Sequence, residues 1–311
     1  MTTTSDSSMA RPAISVIIPH LNQPAHLDAC LSSLDDQSLD RTLFEVIVVD
    51  NGSISPPASI VAGHRGTRLL HESRPGPGPA RNCGVRAANG DFLAFIDADC
   101  RAHSEWLRTA QQVLCSSPEG TVLGGDVRIW RDNDKTFTAI EAYESVFGYR
   151  FKLYIEQHGF CGTGNLALCR PDFEKIGLFA GVQVAEDIEW GRRARAAGFK
   201  FRYVPEMIVF HPARRSLSEL YSKWDRHIQH AVNMAREEHL WKIRWIARAL
   251  ALLASPILDS VTVLSSDRIR GVSSRLKAII VLFAVRAHRA LKMLSVLGTS
   301  SSVVWNRDVR A

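Results

Sequence analysis

Short apolar runs that end in polar residues recur through the amino-terminal two thirds of the chain. Three of them, within the predicted strands 13–19, 45–50 and 91–97, are rich in β-branched or aromatic residues and are followed by turn formers. This pattern is typical of strands buried in a parallel sheet. Similar runs predict further strands at 68–72, 121–127, 165–170 and 207–211, and a helix is predicted at 24–34. The alternation predicts an α/β fold, a mostly parallel Rossmann-like sheet with helices on both faces.

Two carboxylates, Asp97 and Asp99, follow the apolar run Phe92–Ile96. Side chains two residues apart in extended backbone point the same way, so both acids are expected at the carboxyl edge of the sheet, where open α/β sheets bind ligands. Hard oxygen donors there can hold a divalent cation and, through it, a diphosphate. A helix cap followed by a turn is the alternative, because Asp favours both. Asp50 ends a second apolar strand in the same way.

The segment 75–80 alternates Pro and Gly and cannot join a sheet, because proline lacks the N–H donor and glycine weakens a strand. It predicts a loop that places Arg81 and Asn82 in the first turns of the next helix. Local hydrogen bonding inside that helix is the alternative role for Asn82.

These motifs together resemble glycosyltransferase family 2 of the GT-A fold, over roughly residues 13–215. The resemblance rests on IIPHLN, VIVVDNGS, PGPARNCGVRAANGDFLAFIDADC, GTGNLALC, AEDIEWGRRARAAGF and VFHP. It implies transfer of a sugar from a nucleotide-diphosphate donor with inversion at the anomeric carbon. The QxxRW motif of the processive members is not found, and Lys223-Trp224-Asp225-Arg226 is no substitute for it. Addition of a single sugar is therefore predicted.

The resemblance implies a metal site. Asp99 would bind the cation, Asp97 would lie beside the ribose and the metal's shell, and His211 would complete the ligand set. Carboxylates, phosphate oxygens and one imidazole suit Mn²⁺ or Mg²⁺. The alternative for His211, which precedes Pro212, is a cap or packing residue.

The resemblance also places the catalytic base in the segment 185–190. Asp187 would accept the proton of the acceptor hydroxyl, and Glu186 would contact the acceptor or orient the loop. Acids in a first helical turn are favoured by the helix dipole alone. That dipole is expected to lower the pKa of Asp187 and keep it ionised.

Donor and acceptor recognition are implied in the same way. Asp50 would accept from the nucleobase imide, which favours UDP or dTDP donors. Around it, Pro19 and His20 would lie along the base and ribose, Arg81 would face the base or diphosphate, and Asn82 would support the pocket. The loop beneath the donor sugar and acceptor would comprise Gly162, Thr163, Gly164 and Asn165. Trp190 would stack on an acceptor sugar or pack in the core.

Charge is unevenly distributed along the 311 residues. Residues 212–311 hold 17 Lys/Arg against 7 Asp/Glu, a net of +10, whereas residues 1–211 hold 21 against 25, a net of −4. No nucleic-acid motif occurs in the basic part. The six cysteines show no metal spacing, and with no signal peptide evident they are predicted to be reduced cytosolic thiols.

The basic part contains two apolar helices, 241–264 and 275–294. In the second, the apolar side chains lie on one side with Arg275, Arg286, Arg289 and Lys292 opposite. This predicts helices that lie on an anionic membrane surface, with the enzyme peripheral on the cytoplasmic face. Packing on the catalytic domain or in an oligomer is the alternative, and a true span is disfavoured because the longest uncharged run, 249–258, is too short.

The predicted organisation is a disordered segment 1–12, a catalytic domain 13–215 and a helical, membrane-associating extension 216–311. Within the catalytic domain, residues up to about 100 form the nucleotide-sugar half and 101–215 the acceptor half. The predicted partners are a nucleotide-diphosphate sugar and a carbohydrate or glycolipid acceptor in polysaccharide synthesis. Two alternatives remain: transfer to a polyprenyl phosphate, and a nucleotidyltransferase, which lacks support because its glycine-rich phosphate loop is missing.

Overall fold

The amino-terminal part of the fold alternates strands and helices, as the apolar pattern predicts. A computed structural model describes residues 11–131, 136–182, 184–236 and 239–298. Of the segment 1–12 predicted to be disordered, residues 1–10 lie outside the described residues. The first elements are β1 (Ile14–His20), α1 (Pro24–Asp35), β2 (Phe44–Asp50), α2 (Ala58–Ala62), β3 (Thr67–His71), α3 (Pro77–Ala87) and β4 (Phe92–Ile96).

The next elements complete the sheet and add the carboxyl-terminal helices. They are β5 (Arg101–Ala102), α4 (Trp106–Ser116), β6 (Thr121–Trp130), α5 (Ala139–Phe147), α6 (Phe151–Leu153), β7 (Asn165–Cys169), α7 (Arg170–Ile176), α8 (Glu186–Ala196), β8 (Lys200–Pro212), α9 (Leu217–Ala235), α10 (Trp241–Ser265) and α11 (Val272–Ser295). A π-helical turn, Tyr154–His158, follows α6. The short strand β5 was not predicted, and β8 begins seven residues earlier than the predicted 207–211, because polar residues alternate with apolar ones along its first half.

The eight strands form one mixed sheet in the order β3-β2-β1-β4-β7-β6-β8-β5. Strands β1 to β4 are mutually parallel, whereas β7 is antiparallel to β4 and β6, and β5 is antiparallel to β8. His20 pairs with Asp50 at the ends of β1 and β2, and Ile96 at the end of β4 pairs with Asn165 at the start of β7. The polar strand ends and the loop before β7 therefore lie along one edge of the sheet.

The chain divides into two compact units. Among the described residues, the first comprises 11–127 together with 151–210, and the second comprises 128–150 together with 211–298. The core of the first unit consists of the apolar strand faces and the inner sides of α1 and α4, with Trp106 fully buried. The second unit includes α5, which the predicted boundary at residue 215 had assigned to the acceptor half. Helix α5 belongs with α9 and α11 because Tyr143 and Phe147 share a core with Leu220 and Leu282.

The second unit leaves a wide apolar surface exposed on α10 and α11. The buried side of α10 is narrow and includes Trp245, Ala249 and Val263, while Ile257 and Leu258 are 71% and 77% exposed. Among the residues described, α10 is the one helix that is long and apolar enough to cross a membrane by length and composition. Both helices pack in the second unit, so the packing alternative also holds for their inner sides.

The basic side of α11 differs from the prediction. Arg286 donates to Asp259 at 2.7 Å, Arg275 donates to the carbonyls of Val263 and Ser266, and the Lys292 ammonium lies 3.2 Å from an Asp225 carboxylate oxygen. These cations therefore bind groups within the second unit. The exposed side of α11 is instead its apolar side, on which Leu276, Ile280 and Leu291 are more than half exposed.

Candidate active site

His20 and Asp50 form a buried pair at the ends of β1 and β2. His20 Nδ1 lies 3.2 Å from Asp50 Oδ1, and the backbone N–H of Gln23 donates to His20 Nε2 at 3.2 Å. Because Nε2 accepts a hydrogen bond, Nδ1 carries the proton and donates it to Asp50. The pair fixes the orientation of the carboxylate, while Pro19 lies half-buried beside it, opposite Val49 in the ladder.

The Asp50 carboxylate is held ionised. Burial raises its pKa, but hydrogen bonds from Ser53 and His20 outweigh burial and lower the pKa overall. The backbone N–H of Ser53 donates to Oδ2 at 3.2 Å, and His71 Nδ1 lies 3.5 Å from the same oxygen. An ionised carboxylate accepts hydrogen bonds only, so Asp50 suits a ligand that presents an N–H donor.

Asn51 orders the loop that leads into α3, a role that the sequence analysis missed. Its Nδ2 donates to the carbonyls of Glu72 and Arg74, both at 2.8 Å, and its Oδ1 accepts from the N–H of Gly76 at 2.7 Å. The sequence did contain a signal for this role, because Asn51 directly follows Asp50 at the end of a predicted strand.

The Pro-Gly segment allows close approach of two backbone segments. A Cβ on Gly78 would lie 2.1 Å from the carbonyl oxygen of Ala180, so only glycine fits there. One turn later, Asn82 Nδ2 donates to the Phe179 carbonyl at 2.8 Å, and its Oδ1 accepts from the Phe179 N–H at 2.9 Å. Asn82 thus fastens α3 to the segment before α8, in place of the local helical bonding that was its alternative.

Arg81 joins the acidic strand end to the start of α8. The guanidinium donates to Asp97 Oδ1 at 2.6 Å and to Glu186 Oε1 at 3.0 Å, and its side chain is 4% exposed. Burial lowers the pKa of Arg81, but the charges of Asp97 and Glu186 outweigh it and raise the pKa overall. One buried cation thus holds two acids that are 89 positions apart in the sequence.

The loop before β7 approaches the Asp97 carboxylate. A Cβ on Gly164 would lie 2.8 Å from Asp97 Oδ2, and a Cβ on Gly162 would lie 2.7 Å from the Phe151 ring. Thr163 between them is buried. Both glycines thus allow a side chain to approach the backbone closely, and at Gly164 that side chain is a candidate site residue.

The negative charges of Asp97 and Asp99 affect the pKa of two buried thiols, Cys30 and Cys100. Burial, and then the negative charges of Asp99 and Asp97, raise the pKa of Cys30, and the same causes raise the pKa of Cys100. Cys100 Sγ lies 3.7 Å from Asp99 Oδ1. Both cysteines therefore remain protonated thiols at neutral pH.

Asp187 is a weaker acid than the sequence analysis predicted. Burial and the charge of Glu186 raise its pKa to about 6, and the hydrogen bond from the Ile188 N–H at 2.8 Å and the charge of Arg81 lower it only in part. The expected lowering by the helix amino end is thus wrong in its net effect. A carboxylate with this pKa is still about nine-tenths ionised at pH 7, and it accepts a proton more readily than an ordinary aspartate does.

Trp190 packs in the core. Its side chain is buried, its indole N–H donates to the Gly177 carbonyl at 2.9 Å, and its ring lies 5.8 Å from Phe173 and 5.2 Å from Phe179. Of the two predicted roles, stacking on an acceptor sugar is therefore wrong, because neither face of the ring is exposed.

Asn165 is also buried, which corrects its assignment to a ligand-contacting loop. Its Nδ2 donates to the carbonyls of Asp126 and Met207 at 2.9 and 2.8 Å, and its Oδ1 accepts from Trp106 Nε1 at 2.8 Å. These three hydrogen bonds engage both the donor and the acceptor of the Asn165 side-chain amide with other protein groups. Asn165 can therefore only position the loop that precedes it in the sequence.

His211 lies near the end of β8. In the ladder with β5, the preceding residue Phe210 pairs with Arg101, which is two residues after Asp99. His211 Nδ1 lies 2.6 Å from the Pro212 carbonyl oxygen. A carbonyl only accepts, so Nδ1 carries the proton, and Nε2 has the lone pair that a metal ligand needs.

The comparisons with known proteins agree with this geometry. Residues 15–177 match the protein-family model for glycosyl transferase family 2. Among curated proteins, glycosyltransferase AglE of Haloferax volcanii is 29% identical over 282 residues, which is 89% of this chain and 91% of AglE.

Solved structures show the same fold at lower identity. The mannosyltransferase PcManGT of Pyrobaculum calidifontis, in complex with GDP-Man and Mn²⁺, has a TM-score of 0.58 and 18% identity, and the match covers 92% of this chain and 87% of that one. Residues 1–349 of Staphylococcus aureus TarS, in complex with UDP-GlcNAc, have a TM-score of 0.53 and 17% identity, with 88% and 90% covered. The predicted GT-A-like sheet is confirmed, and the chain belongs to glycosyltransferase family 2, whose members use nucleotide-sugar donors.

Proposed function

We propose that the protein is an inverting, metal-dependent glycosyltransferase that moves one sugar from a nucleotide-diphosphate donor to a hydroxyl acceptor, a glycan or glycolipid in polysaccharide synthesis. The observation that carries this proposal is the acid cluster around Arg81. Asp97 and Glu186 bind the two ends of one buried guanidinium, and Asp187 follows Glu186 with a pKa of about 6. A base is thus held near the strand edge where the donor diphosphate is expected.

Asp99, Asp97 and His211 are the proposed holders of a divalent cation, Mn²⁺ or Mg²⁺. Carboxylate oxygens fit either ion, and the Nδ1–H tautomer of His211 fits it as a ligand through Nε2. The PcManGT complex, which contains Mn²⁺, supports a metal in this family. When bound, such an ion neutralises negative charge that develops on a departing diphosphate.

Asp187 is the proposed base of a single displacement. Its carboxylate takes the proton of the acceptor hydroxyl as the acceptor oxygen bonds to the anomeric carbon and the bond from that carbon to the diphosphate oxygen breaks. Attack on the side opposite the leaving group inverts the anomeric configuration. Glu186 keeps the base in place, because its salt bridge to Arg81 fixes the first turn of α8.

The nucleotide is proposed to be UDP or dTDP, through Asp50. Uracil and thymine present an N3–H that an ionised carboxylate can accept, whereas N3 of cytosine is an acceptor. Guanine presents an N1–H and is the second candidate, which the GDP-Man complex of PcManGT also supports.

A donor panel tests the proposed function. With Mn²⁺ and the full chain, hydrolysis of UDP and dTDP sugars should exceed that of CDP sugars by at least about tenfold, since a lost hydrogen bond to a charged group costs about 1.5–3 kcal/mol. The release of nucleotide diphosphate is the measurement. Preferential hydrolysis of CDP sugars would contradict the role of Asp50, and no hydrolysis of any donor would contradict the proposed function.

The exposed apolar face of α10 and α11 supports attachment to a membrane surface. Ile257 and Leu258 are largely exposed, and Lys242, Arg244 and Arg248 on the same helix are exposed cations. Apolar side chains and cations on one helix are typical of binding at an anionic lipid interface.

Vesicle sedimentation tests this attachment without disturbing the core. The double variant Ile257→Asp/Leu258→Asp should lose at least about tenfold in its partition onto anionic vesicles, because about two buried apolar side chains are lost at 1.5–3 kcal/mol each. Ile54→Asp, at a 79% exposed position in the first unit, is the matched control and should sediment like the native protein. Unchanged sedimentation of the double variant would favour association of α10 with another protein chain.

A further inference from the structure

Two half-buried cations of the second unit, Lys223 and Arg289, lie around the half-buried Trp224 without an acid partner among the described residues. The guanidinium carbon of Arg289 lies 3.6 Å above the Trp224 ring, and Lys223 Nζ lies 5.8 Å from the same ring and 5.2 Å from the ring of Tyr149. Among the residues that the structure describes, no carboxylate lies within 4 Å of either cation, and Arg289 Nε is buried with no hydrogen-bond partner. Lys223, Trp224 and Arg289 are called the cation–tryptophan cluster below.

The acids nearest to the cluster are already neutralised. Glu144 accepts from both the backbone N–H and the guanidinium of Arg214, and Asp259 accepts from Arg286. The cluster therefore keeps an excess of positive charge at a partly solvent-accessible place, and an anionic ligand can balance that charge.

Neighbouring cations affect the pKa of Lys223. Burial, and then the charge of Arg214, lower the pKa of Lys223 to about 8. Lys223 still binds a proton at pH 7, so the cluster carries two positive charges there.

The cluster adjoins the proposed metal ligand within the same unit. The imidazole of His211 packs on the ring of Tyr149 with 4.7 Å between ring centroids, and Lys223 Nζ faces that ring. An anion held by Lys223 is therefore separated from His211 by one aromatic ring.

We propose that the cation–tryptophan cluster binds the terminal phosphate or diphosphate of a phosphorylated acceptor. A phosphate monoester carries a charge of about −1.5 to −2 at pH 7, which matches the two cations, and the Lys223 ammonium and the Arg289 guanidinium supply N–H donors for its oxygens. The inference rests on the proposed function, since it describes the acceptor of the same reaction. It adds an anion site on the second unit to the donor site proposed on the first.

Thermal unfolding of the full chain with inorganic pyrophosphate in EDTA tests the site, because EDTA removes any metal that could bind pyrophosphate elsewhere. A ligand at about 100 times its Kd should raise the Tm of the native protein by about 4 °C. Lys223→Met and Arg289→Met should each abolish that rise. Lys242→Met removes the same charge from an exposed position of the same unit and should keep it.

The unliganded variants separate a binding role from a structural one. Lys223→Met should unfold at the same temperature as the native protein or higher, because it removes a half-buried cation that has no acid partner and lies near other cations. A lower Tm for Lys223→Met, or an equal rise with pyrophosphate in all variants, would overturn the inference. Donor hydrolysis with Mn²⁺ is measured on the native protein and on Lys242→Met, which should hydrolyse the donor equally, so failure of the proposed function is measured separately.

A second arm distinguishes soluble from lipid-borne phosphate. Phosphatidylcholine vesicles that carry phosphatidic acid present a phosphate monoester, and those that carry phosphatidylglycerol present a diester of similar charge. Preferential binding to phosphatidic acid that is lost in Lys223→Met supports a lipid-linked acceptor, whereas stabilisation by pyrophosphate without that preference supports a soluble one. No stabilisation by pyrophosphate and no preference for phosphatidic acid would overturn the proposed site.

Discussion

Asp187→Asn should slow sugar transfer by about 10²–10⁴ while donor binding stays nearly the same, because a positioned general base contributes rate enhancement of that size. The amide is close in shape to the carboxylate but cannot accept the hydroxyl proton. In the native enzyme, burial and Glu186 raise the pKa of Asp187 to about 6, so the ionised, active fraction grows as the pH rises through 6. Transfer under saturating donor should therefore increase between pH 5 and 7 and level off above, and this rise should be missing from the variant.

The same helical turn provides the control. Glu189 is the third acid of the segment, and both of its carboxylate oxygens accept from Arg193 at 3.0 Å. Glu189→Gln removes an equal charge two residues from Asp187 and should change transfer by less than a factor of about three, because half-exposed ion pairs contribute 1 kcal/mol or less. Normal turnover by Asp187→Asn would refute its role as base, and it would favour an acceptor that is already an anion, such as a polyprenyl phosphate.

Asp99→Asn should lower transfer by about 10²–10³, the range expected when one electrostatic group at a transition state is removed. EDTA should abolish the activity of the native enzyme, and Mn²⁺ or Mg²⁺ should restore it. With Mn²⁺ present, calorimetry should show weaker binding of the nucleoside diphosphate to the variant than to the native protein. In EDTA the two proteins should bind it equally.

Asp91 offers a matched control for that substitution. It precedes β4 at the end of the strand opposite to Asp97, and its side chain is 69% exposed. Asp91→Asn removes the same charge at a distance from the proposed metal site, so its activity and nucleotide affinity should be unchanged. Full turnover of the native enzyme in EDTA would contradict metal dependence.

Sequence patterns predicted the strands and helices in which apolar side chains alternate with polar ones or form long apolar runs. The runs before Asp50 and Asp97 read as buried strands because they are almost wholly apolar, and the structure has them within about one residue of the predicted bounds. The long helices α10 and α11 were also predicted, the first because its sequence is mostly apolar and the second because its apolar side chains lie on one side. In contrast, β5 has two residues and presents no pattern of its own.

The roles of single polar residues depended on contacts distant in the sequence. The Arg81–Glu186 bond joins residues 105 positions apart, and Asn165 is bound by groups contributed from Trp106, Asp126 and Met207. The local sequence around Arg81 or Asn165 does not distinguish a residue that binds other protein groups from one that contacts a ligand. The pKa of Asp187 was mispredicted for a related reason, because the helix amino end is a local feature whereas its burial is a tertiary one.

The fastening of Asn82 to Phe179 has a consequence for amide hydrogen exchange. The Phe179 N–H is bound to the Asn82 side chain, and Gly78 lies against the carbonyl of the adjacent Ala180. Deuterium uptake at Phe179 should therefore be as slow as in the central strands, although this residue lies outside any helix or strand. A segment this well protected cannot be the part that opens on the millisecond timescale to admit an acceptor during each catalytic cycle.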